Sequence, residues 1–508
     1  MRTKNTIKNI TVSLILGFGV IVINFIAQKI FVDSLGIEYL GLNGLFTNII
    51  AMLAVAELGL GSAIVYHLYA PIHERDMTKV SSIMRFYKTG YRLIALAIVL
   101  LGCALIPFLP LIVGDNNIRA NITIVYLLFI INAAVSYLLS YKRSILYADQ
   151  KNYIINSVHL TALVVLNALQ IWVLIATHNY YLYLGLRIAA TLSENIIINS
   201  IVDKKYKLNA NPAPINNSTR RDIFTKLKGL LYHKAGSFAV VGSTNIIISI
   251  FLGIATVGLY SNYLLIQTSM KALFLQIANA IKASVGNLLV SSREEARFLV
   301  FKRLDFAGQV LAILLVSVFL VASDSFVKVW IGEQFVLSDG VVASLALSIY
   351  LHLVRWVSFH NFKEAAGIFY EDRFIPIAEA IINIVASIIL IQLIGLAGAF
   401  IGLALSSLAL YAYSYPKYIY KGILGRGYKE YTVYVLQNFG TALMAIGAAY
   451  TISQLVYFDS SLLQLLSDSV VAVIVPLLIL WVLYKNSEEY IYFKDLITKM
   501  LKRTVAAK

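Results

Sequence analysis

Among the charged side chains inside long apolar stretches of this chain, six call for an account: Lys29, Glu57, Arg187, Glu194, Lys271 and Arg355. A charge at mid-membrane costs about 2.5–3.5 kcal/mol even on the lenient insertion scale, so each needs a reason. Four are cations and two are carboxylates. That excess fits an anionic ligand, with phosphate the obvious candidate, since Lys and Arg meet it with charge and matched donors. The carboxylates suit a second task, reversible binding of a proton or a sodium ion. Lys29 is the shallowest of the six and can snorkel toward a surface. Arg92 and Lys282 sit at the ends of their stretches and read as anchors.

Spacing sharpens these readings. Arg187 and Glu194 are seven apart, two helical turns and about 10 Å of rise, so each needs a partner elsewhere. Arg355 is flanked by His352 and His360. A buried histidine is more often a satisfied structural group, so neither is placed in the site. No Ser-His-Asp order, HExxH, Walker loop or GxGxxG after a strand occurs, and the lone Cys103 has no metal-ligand spacing around it. The reading is therefore not an enzyme, with no metal and no cofactor beyond a coupling H⁺ or Na⁺.

The elements that hold these charges are membrane spans. A hydrophobic fraction of 59% and a mean hydropathy of +0.78 exclude a soluble globular chain. With about 20 apolar residues needed per crossing, fourteen segments qualify. They lie at roughly 10–32, 40–66, 91–113, 121–141, 154–176, 180–201, 235–253, 258–282, 305–322, 341–362, 376–394, 396–414, 435–456 and 469–484. Of the 42 Lys and Arg residues, 34 fall in every second gap, two (Arg119 and Lys328) in the alternate gaps, and six inside segments. Cytoplasmic loops retain Lys and Arg, so both termini are expected in the cytoplasm. The net charge of +16 then reads as topology and attraction to anionic lipid, not as nucleic-acid binding. Arg2, Lys4 and Lys8 before an apolar run resemble a signal peptide, but the run is too long and no small-residue cleavage site follows.

The chain repeats. Leu35-Gly36-Ile37 with Gly41-Leu42 recurs as Leu252-Gly253-Ile254 with Gly258-Leu259, an offset of 217. Val113-Gly114-Asp115-Asn116 is echoed by Ile331-Gly332-Glu333-Gln334 at 218, and Ile145–Gln150 by Ile368–Arg373 at 223. The expected fold is all-α and polytopic. It comprises an N-terminal lobe at 1–201, a linker at 202–234, a C-terminal lobe at 235–414, two appended spans at 415–484 and a tail at 485–508. Two six-span lobes share one membrane orientation, and a substrate site is expected between them. At the repeat offset Lys271 corresponds to Ala54, three residues from Glu57, so equivalent helices would present opposite charges toward one interface.

The linker contains Asn211-Pro212-Ala213-Pro214 and then an amphipathic pattern. Thr219 is a candidate cap with Asp222 three residues on, and Ile223, Phe224, Leu227, Leu230 and Leu231 form the apolar stripe. The tail repeats the design with Phe493, Leu496, Ile497, Met500 and Leu501. No gap on the outer side exceeds roughly 18 residues, which leaves little room for an external glycan-assembling site.

The run Leu35-Gly36-Ile37-Glu38-Tyr39-Leu40-Gly41-Leu42-Asn43-Gly44-Leu45-Phe46-Thr47-Asn48-Ile49, with Ala56-Glu57-Leu58-Gly59-Leu60-Gly61-Ser62-Ala63-Ile64 and the opening Arg2-Thr3-Lys4-Asn5, resembles bacterial polysaccharide repeat-unit flippases. These belong to the multidrug/oligosaccharidyl-lipid/polysaccharide exporter superfamily. The resemblance is strongest over roughly the first 100 residues and architectural beyond them. It implies a MATE-like fold of twelve spans plus two. It also implies a multi-pass protein of the bacterial plasma membrane that flips undecaprenyl-diphosphate-linked oligosaccharide outward by alternating access, for O-antigen, capsule or exopolysaccharide synthesis. The implied partners are that lipid-linked oligosaccharide, membrane lipids, a polysaccharide polymerase and glycosyltransferases. Family members have a cationic cavity, and Lys271 sits where related flippases place a basic residue in span 8. The expected substrate contacts are Lys271, Arg355, Arg187 and Lys29, and the expected coupling residues Glu57 and Glu194. The rival readings are a peptidoglycan-precursor (lipid II) flippase, whose cargo carries the same diphosphate, and a cation or drug antiporter of the same fold.

Overall fold

The computed structural model describes residues 2–57, 60–209, 212–217, 220, 221, 223, 236, 240, 242–368 and 370–506. Among them all regular structure is helical. The longer helices of the first half are α1 (Arg2–Leu35), α2 (Ile37–Leu53), α3 (Leu60–His73), α4 (Met77–Leu105), α5 (Ile122–Ser140), α6 (Asn152–Thr177) and α7 (Tyr180–Lys205). Then come α8 (Gly242–Leu252), α9 (Ile254–Ser291), α10 (Glu294–Trp330) and α11 (Asp339–Arg355). The chain closes with α12 (Ile375–Ile394), α13 (Leu396–Ala409), α14 (Tyr428–Ser453), α15 (Ser461–Tyr484) and α16 (Glu488–Ala506).

Each of the fourteen expected segments contains helix among the described residues, and ten are helices long and apolar enough to cross a membrane. The other four depart for local reasons. The second segment is broken where α2 passes into a 3₁₀ turn, Ala54–Glu57, before α3. Arg187 and Glu194 make α7 more polar, Lys271 and Lys282 do the same for α9, and the seventh segment is described as continuous helix only over α8.

Helix ends follow side-chain chemistry. Asp76, Asn121 and Asn179 cap α4, α5 and α7, accepting from Lys79 N at 2.9 Å, Ile124 N at 3.1 Å and Leu182 N at 3.1 Å. Each satisfies an amide that a first turn leaves unpaired. Helix α11 runs into a π-helical segment, Trp356–His360, and α13 into another, Leu410–Lys421, which contains Pro416. A proline has no N–H for the ladder, and π-segments are rare and frequently lie at functional sites.

The backbone carries the repeat more clearly than the residues do. Eight of the ten positive-φ positions among the described residues pair at an offset of 217 or 218. They are Gly36 with Gly253, Gly114 with Gly332, Gln150 with Gly367, and His178 with Gly395. Gly36 N donates to Val32 O at 2.9 Å, and Gly253 N to Ser249 O at 3.0 Å, closing equivalent helix ends. The third loop thus matches at 217, not at 223. After the turn α12 starts six residues later than α6, yet both end at the same offset, so α12 is shorter and nothing is inserted. Gly41 and Gly258 are also reciprocal. A Cβ on Gly41 would strike the Ile254 carbonyl, and one on Gly258 the Ile37 carbonyl. Equivalent residues exchanging the same contact is the mark of a local two-fold relation.

The chain divides into two compact units, Met1–Ser261 and Asn262–Lys508, so α8 and the start of α9 pack with the first. In the first, Arg85 donates to Pro212 O at 2.7 Å and Asn209 N to Ser81 Oγ at 2.9 Å, laying the start of the linker on α4. Most of the expected amphipathic helix there, including Thr219, Asp222, Phe224, Leu227, Leu230 and Leu231, lies outside the described residues. In the second unit α16 docks on α10. Glu489 pairs with Lys302 at 2.7 Å, and Arg303 lies 3.9 Å over the Tyr492 ring. Met500 and Leu501 of the expected tail stripe are outside the described side chains.

Candidate functional site

In the first unit, Glu57 ends the 3₁₀ turn that interrupts the second segment. Tyr91 of α4 donates to its Oε1 at 2.6 Å and Tyr137 of α5 to its Oε2 at 3.1 Å. Tyr87, one turn before Tyr91, donates to the Tyr91 hydroxyl at 2.7 Å. No cation pairs with Glu57 among the described residues. A broken helix frees the side chain to turn toward α4 and α5, where the two phenols donate to it. Gly61 keeps the space open, since a Cβ there would lie 3.3 Å from the Tyr87 hydroxyl and 3.4 Å from Glu57 Oε1.

Glu194 is a different kind of carboxylate. It is buried, with Arg143 at 2.9 Å and His159 Nδ1 at 3.2 Å, and Arg143 also donates to Asn195 Oδ1 at 2.7 Å. Arg187, two turns earlier on α7, lies 5.5 Å over the Phe129 ring and has no carboxylate partner among the described residues. It sits in an aromatic cluster in which Tyr180 stacks edge-on against Phe31 and Tyr39. Lys29 pairs with Asp33 at 3.8 Å, both well exposed.

In the second unit the two expected cations prove unlike. Arg355 ends α11 and pairs with Glu379 of α12 at 3.1 Å, both side chains 14% exposed. Its other guanidinium nitrogen lies 3.2 Å from His352 Nδ1, while Trp356 Nε1 donates to His352 Nε2 at 3.0 Å. Lys271, on α9 and half-buried, has no carboxylate partner among the described residues. Arg355 is the charge that acts on it, and both act on His352. One ammonium is thus left uncompensated beside a neutralised pair. A buried charge without a partner is retained where something else neutralises it, and here that would be an anion.

Three groups escaped the sequence reading. Glu379 lies one turn inside the eleventh segment and was readable as a carboxylate within a span. Arg143 stands in a short loop helix, with nothing local to point it at Glu194. Asp305, on the boundary of the ninth segment, is fully buried. It accepts from Tyr434 at 2.7 Å, from Asn438 at 3.0 Å, and from Ser358.

No family model matches the chain, and no curated protein does. Solved structures do. The chain is similar to the inward-facing conformation of a multidrug resistance MATE family transporter of the MOP superfamily, with 14% identity and a TM-score of 0.61, over 82% of this chain and 98% of that one. It is also similar to the lipid II flippase MurJ in an inward closed conformation, with 16% identity and a TM-score of 0.60, over 93% of this chain and 98% of that one. An outward-facing MATE family transporter matches at 13% identity and a TM-score of 0.52. At such identities the likeness establishes the fold: an all-helical, multi-pass, MATE-like membrane protein.

Proposed function

We propose that this protein is a flippase for undecaprenyl-diphosphate-linked oligosaccharide, carrying repeat units from the inner to the outer leaflet of a bacterial plasma membrane. Lys271 carries the reading, as a half-buried ammonium on a span helix with no carboxylate to neutralise it. A diphosphate-sugar head group cannot cross hydrocarbon unaided, because desolvating its charges and hydroxyls is prohibitive. Lys271 meets the diphosphate, the Arg355–Glu379 pair holds the neighbouring helices, and Arg187 is a second candidate contact. Lys29 is the weaker candidate, being already paired with Asp33. Glu57 is the coupling carboxylate, binding H⁺ or Na⁺, with Glu194 the alternative. Coupling requires that the ion bind one of two conformations more tightly. The lobes at 1–201 and 235–414 are the moving parts of an alternating-access cycle, with both termini cytoplasmic.

A lipid II flippase is the second reading, favoured by the likeness to MurJ over 93% of the chain. The glycan separates the two. Deletion in the native host should accumulate a lipid-linked repeat unit in the inner leaflet. Accumulation of lipid II with loss of wall synthesis would establish the second reading instead. The Lys271→Ala variant should fail to rescue the deletion. Orientation is tested by cysteines at Asn117, Ser338 and Asn216 in a Cys103→Ser background. The first two should react with an impermeant thiol reagent on intact cells, and labelling at Asn216 would invert the topology.

A further inference from the structure

Asp305 is wholly buried, and its hydrogen-bond partners are neutral groups from two other helical segments. Tyr434 and Asn438 reach it from α14, and Ser358 from the π-segment after α11; Gln309 lies one turn on along α10. All three partners act as donors, which suits an ionised carboxylate. The facing titratable groups are the phenols Tyr434 and Tyr431 of α14, Tyr350 of α11 and Tyr420 of the second π-segment. Lys302 and Arg303, on the same helix as Asp305, are engaged with Glu489 and Tyr492. A cavity of about 220 Å³ adjoins the network, lined by Lys302, Gln309, Tyr434, Asn438 and Glu489 among others. That is room for several waters, which would bring protons to the carboxylate.

The partner Ser358 is the second observation. It lies in the π-segment Trp356–His360, which begins at the residue after Arg355. Val357 of that segment packs on α10 where a Cβ on Gly308 would lie 2.9 Å from the Val357 Cβ. Asp305 and Gly308, one turn apart on α10, thus pin both sides of the segment. A π-segment carries one residue more than the α-helix it interrupts, so an α-register and a π-register are alternatives for the same chain.

We propose that Asp305 is a proton-binding site whose occupancy sets the register of Trp356–His360, and through it the position of Arg355. Ionised, Asp305 accepts from the Ser358 hydroxyl. On taking a proton from cavity water, it becomes the donor and Ser358 must turn its own hydrogen away. The charge-assisted bond that holds the π-register is then lost. The proton site does not rest on the flippase reading.

The test uses full-length protein in nanodiscs with no cargo, so it stands apart from any failure of that reading. Infrared difference spectra between alkaline and acidic buffer should show a protonated-carboxyl band, absent in Asp305→Asn and retained in Glu57→Gln. Hydrogen exchange of peptides covering 352–362, corrected for intrinsic pH dependence, should rise about tenfold on acidification, the effect of one charge-assisted bond. It should sit at the acid level throughout in Asp305→Asn. Ser358→Ala should keep the band and lose the exchange difference, which guards against misfolding of the Asn variant. The proposal fails if the band or the exchange difference survives in Asp305→Asn. It fails equally if sodium at constant pH changes the exchange and acid does not.

Discussion

The two units hold their span charges differently. In the first, the carboxylate of Glu57 has no ion partner among the described residues and is solvated by Tyr91 and Tyr137 with Tyr87 behind, while Arg187 rests over the Phe129 ring. In the second, the ammonium of Lys271 lies beside a guanidinium already neutralised by Glu379, and Asp305 has only neutral partners. Each unit also holds a fully paired ion, Glu194 with Arg143 and Arg355 with Glu379. Depth in a span therefore does not separate paired charges from unpaired ones. On the proposed reading the unpaired ones do the work. A paired buried ion is costly to break and cheap to keep, whereas an unpaired one persists only if something reversible completes it.

The largest predicted effect is on a pair. Arg355→Ala leaves Glu379 buried and alone, which should cost about 3–5 kcal/mol and show as lost abundance and a lowered thermal midpoint in detergent. The double variant Arg355→Met with Glu379→Leu should recover most of that loss, because it removes the stranded charge. If the double variant is as unstable as the single, the pair is not what holds α11 to α12.

Lys271→Ala sharpens the contrast. With no partner to strand, it should change stability by under about 1 kcal/mol while abolishing rescue of export. Lys271→Arg should restore part of the rescue. A loss of abundance matching that of Arg355→Ala would place Lys271 among the structural charges.

Glu57→Gln comes next. It preserves size and one acceptor oxygen, so one of Tyr91 and Tyr137 still donates while the other must accept from the amide, but it cannot bind a proton. The protein should remain folded in the membrane, and export should stop responding to the ion gradient. Gradient-dependent export by this variant would remove Glu57 from the cycle and leave Glu194 to be tested.

The smallest effect lies outside the spans. Burial alone would raise the Asp149 carboxyl, but the Lys151 ammonium and the Tyr206 hydroxyl bonded to it outweigh burial and hold it below its usual range. A carboxyl depressed on folding contributes stability that is present above its unfolded value and lost as pH falls through its folded one. Asp149→Asn should therefore flatten the acid limb of the stability profile slightly and leave neutral pH and above slightly weakened. An unchanged acid limb would show that this trio ties the linker to the loop without coupling to pH.

Much of the fold was legible because membrane insertion writes on the whole chain. Loop cations and apolar runs anticipate the helices, and Gly36 and Gly253 announce the repeat. Partnership was not legible. Tyr91 and Tyr137 lie 34 and 80 residues from Glu57, and Glu379 lies 24 from Arg355. No local pattern ties such residues together, since only the packing of separate helices does. The third repeat match slipped by six residues for a related reason. Its αL turn pairs Gln150 with Gly367, positions whose residue types share nothing.

The account stands on Lys271 as the charge that meets the cargo diphosphate. The direct measurement is binding of undecaprenyl diphosphate to purified protein in nanodiscs, comparing wild type, Lys271→Ala and the Arg355→Met/Glu379→Leu double variant. The account predicts at least about a tenfold loss of affinity for Lys271→Ala, the size of one charge-assisted contact, and near-wild-type affinity for the double variant. Equal binding by wild type and Lys271→Ala, with loss in the double variant, would contradict it.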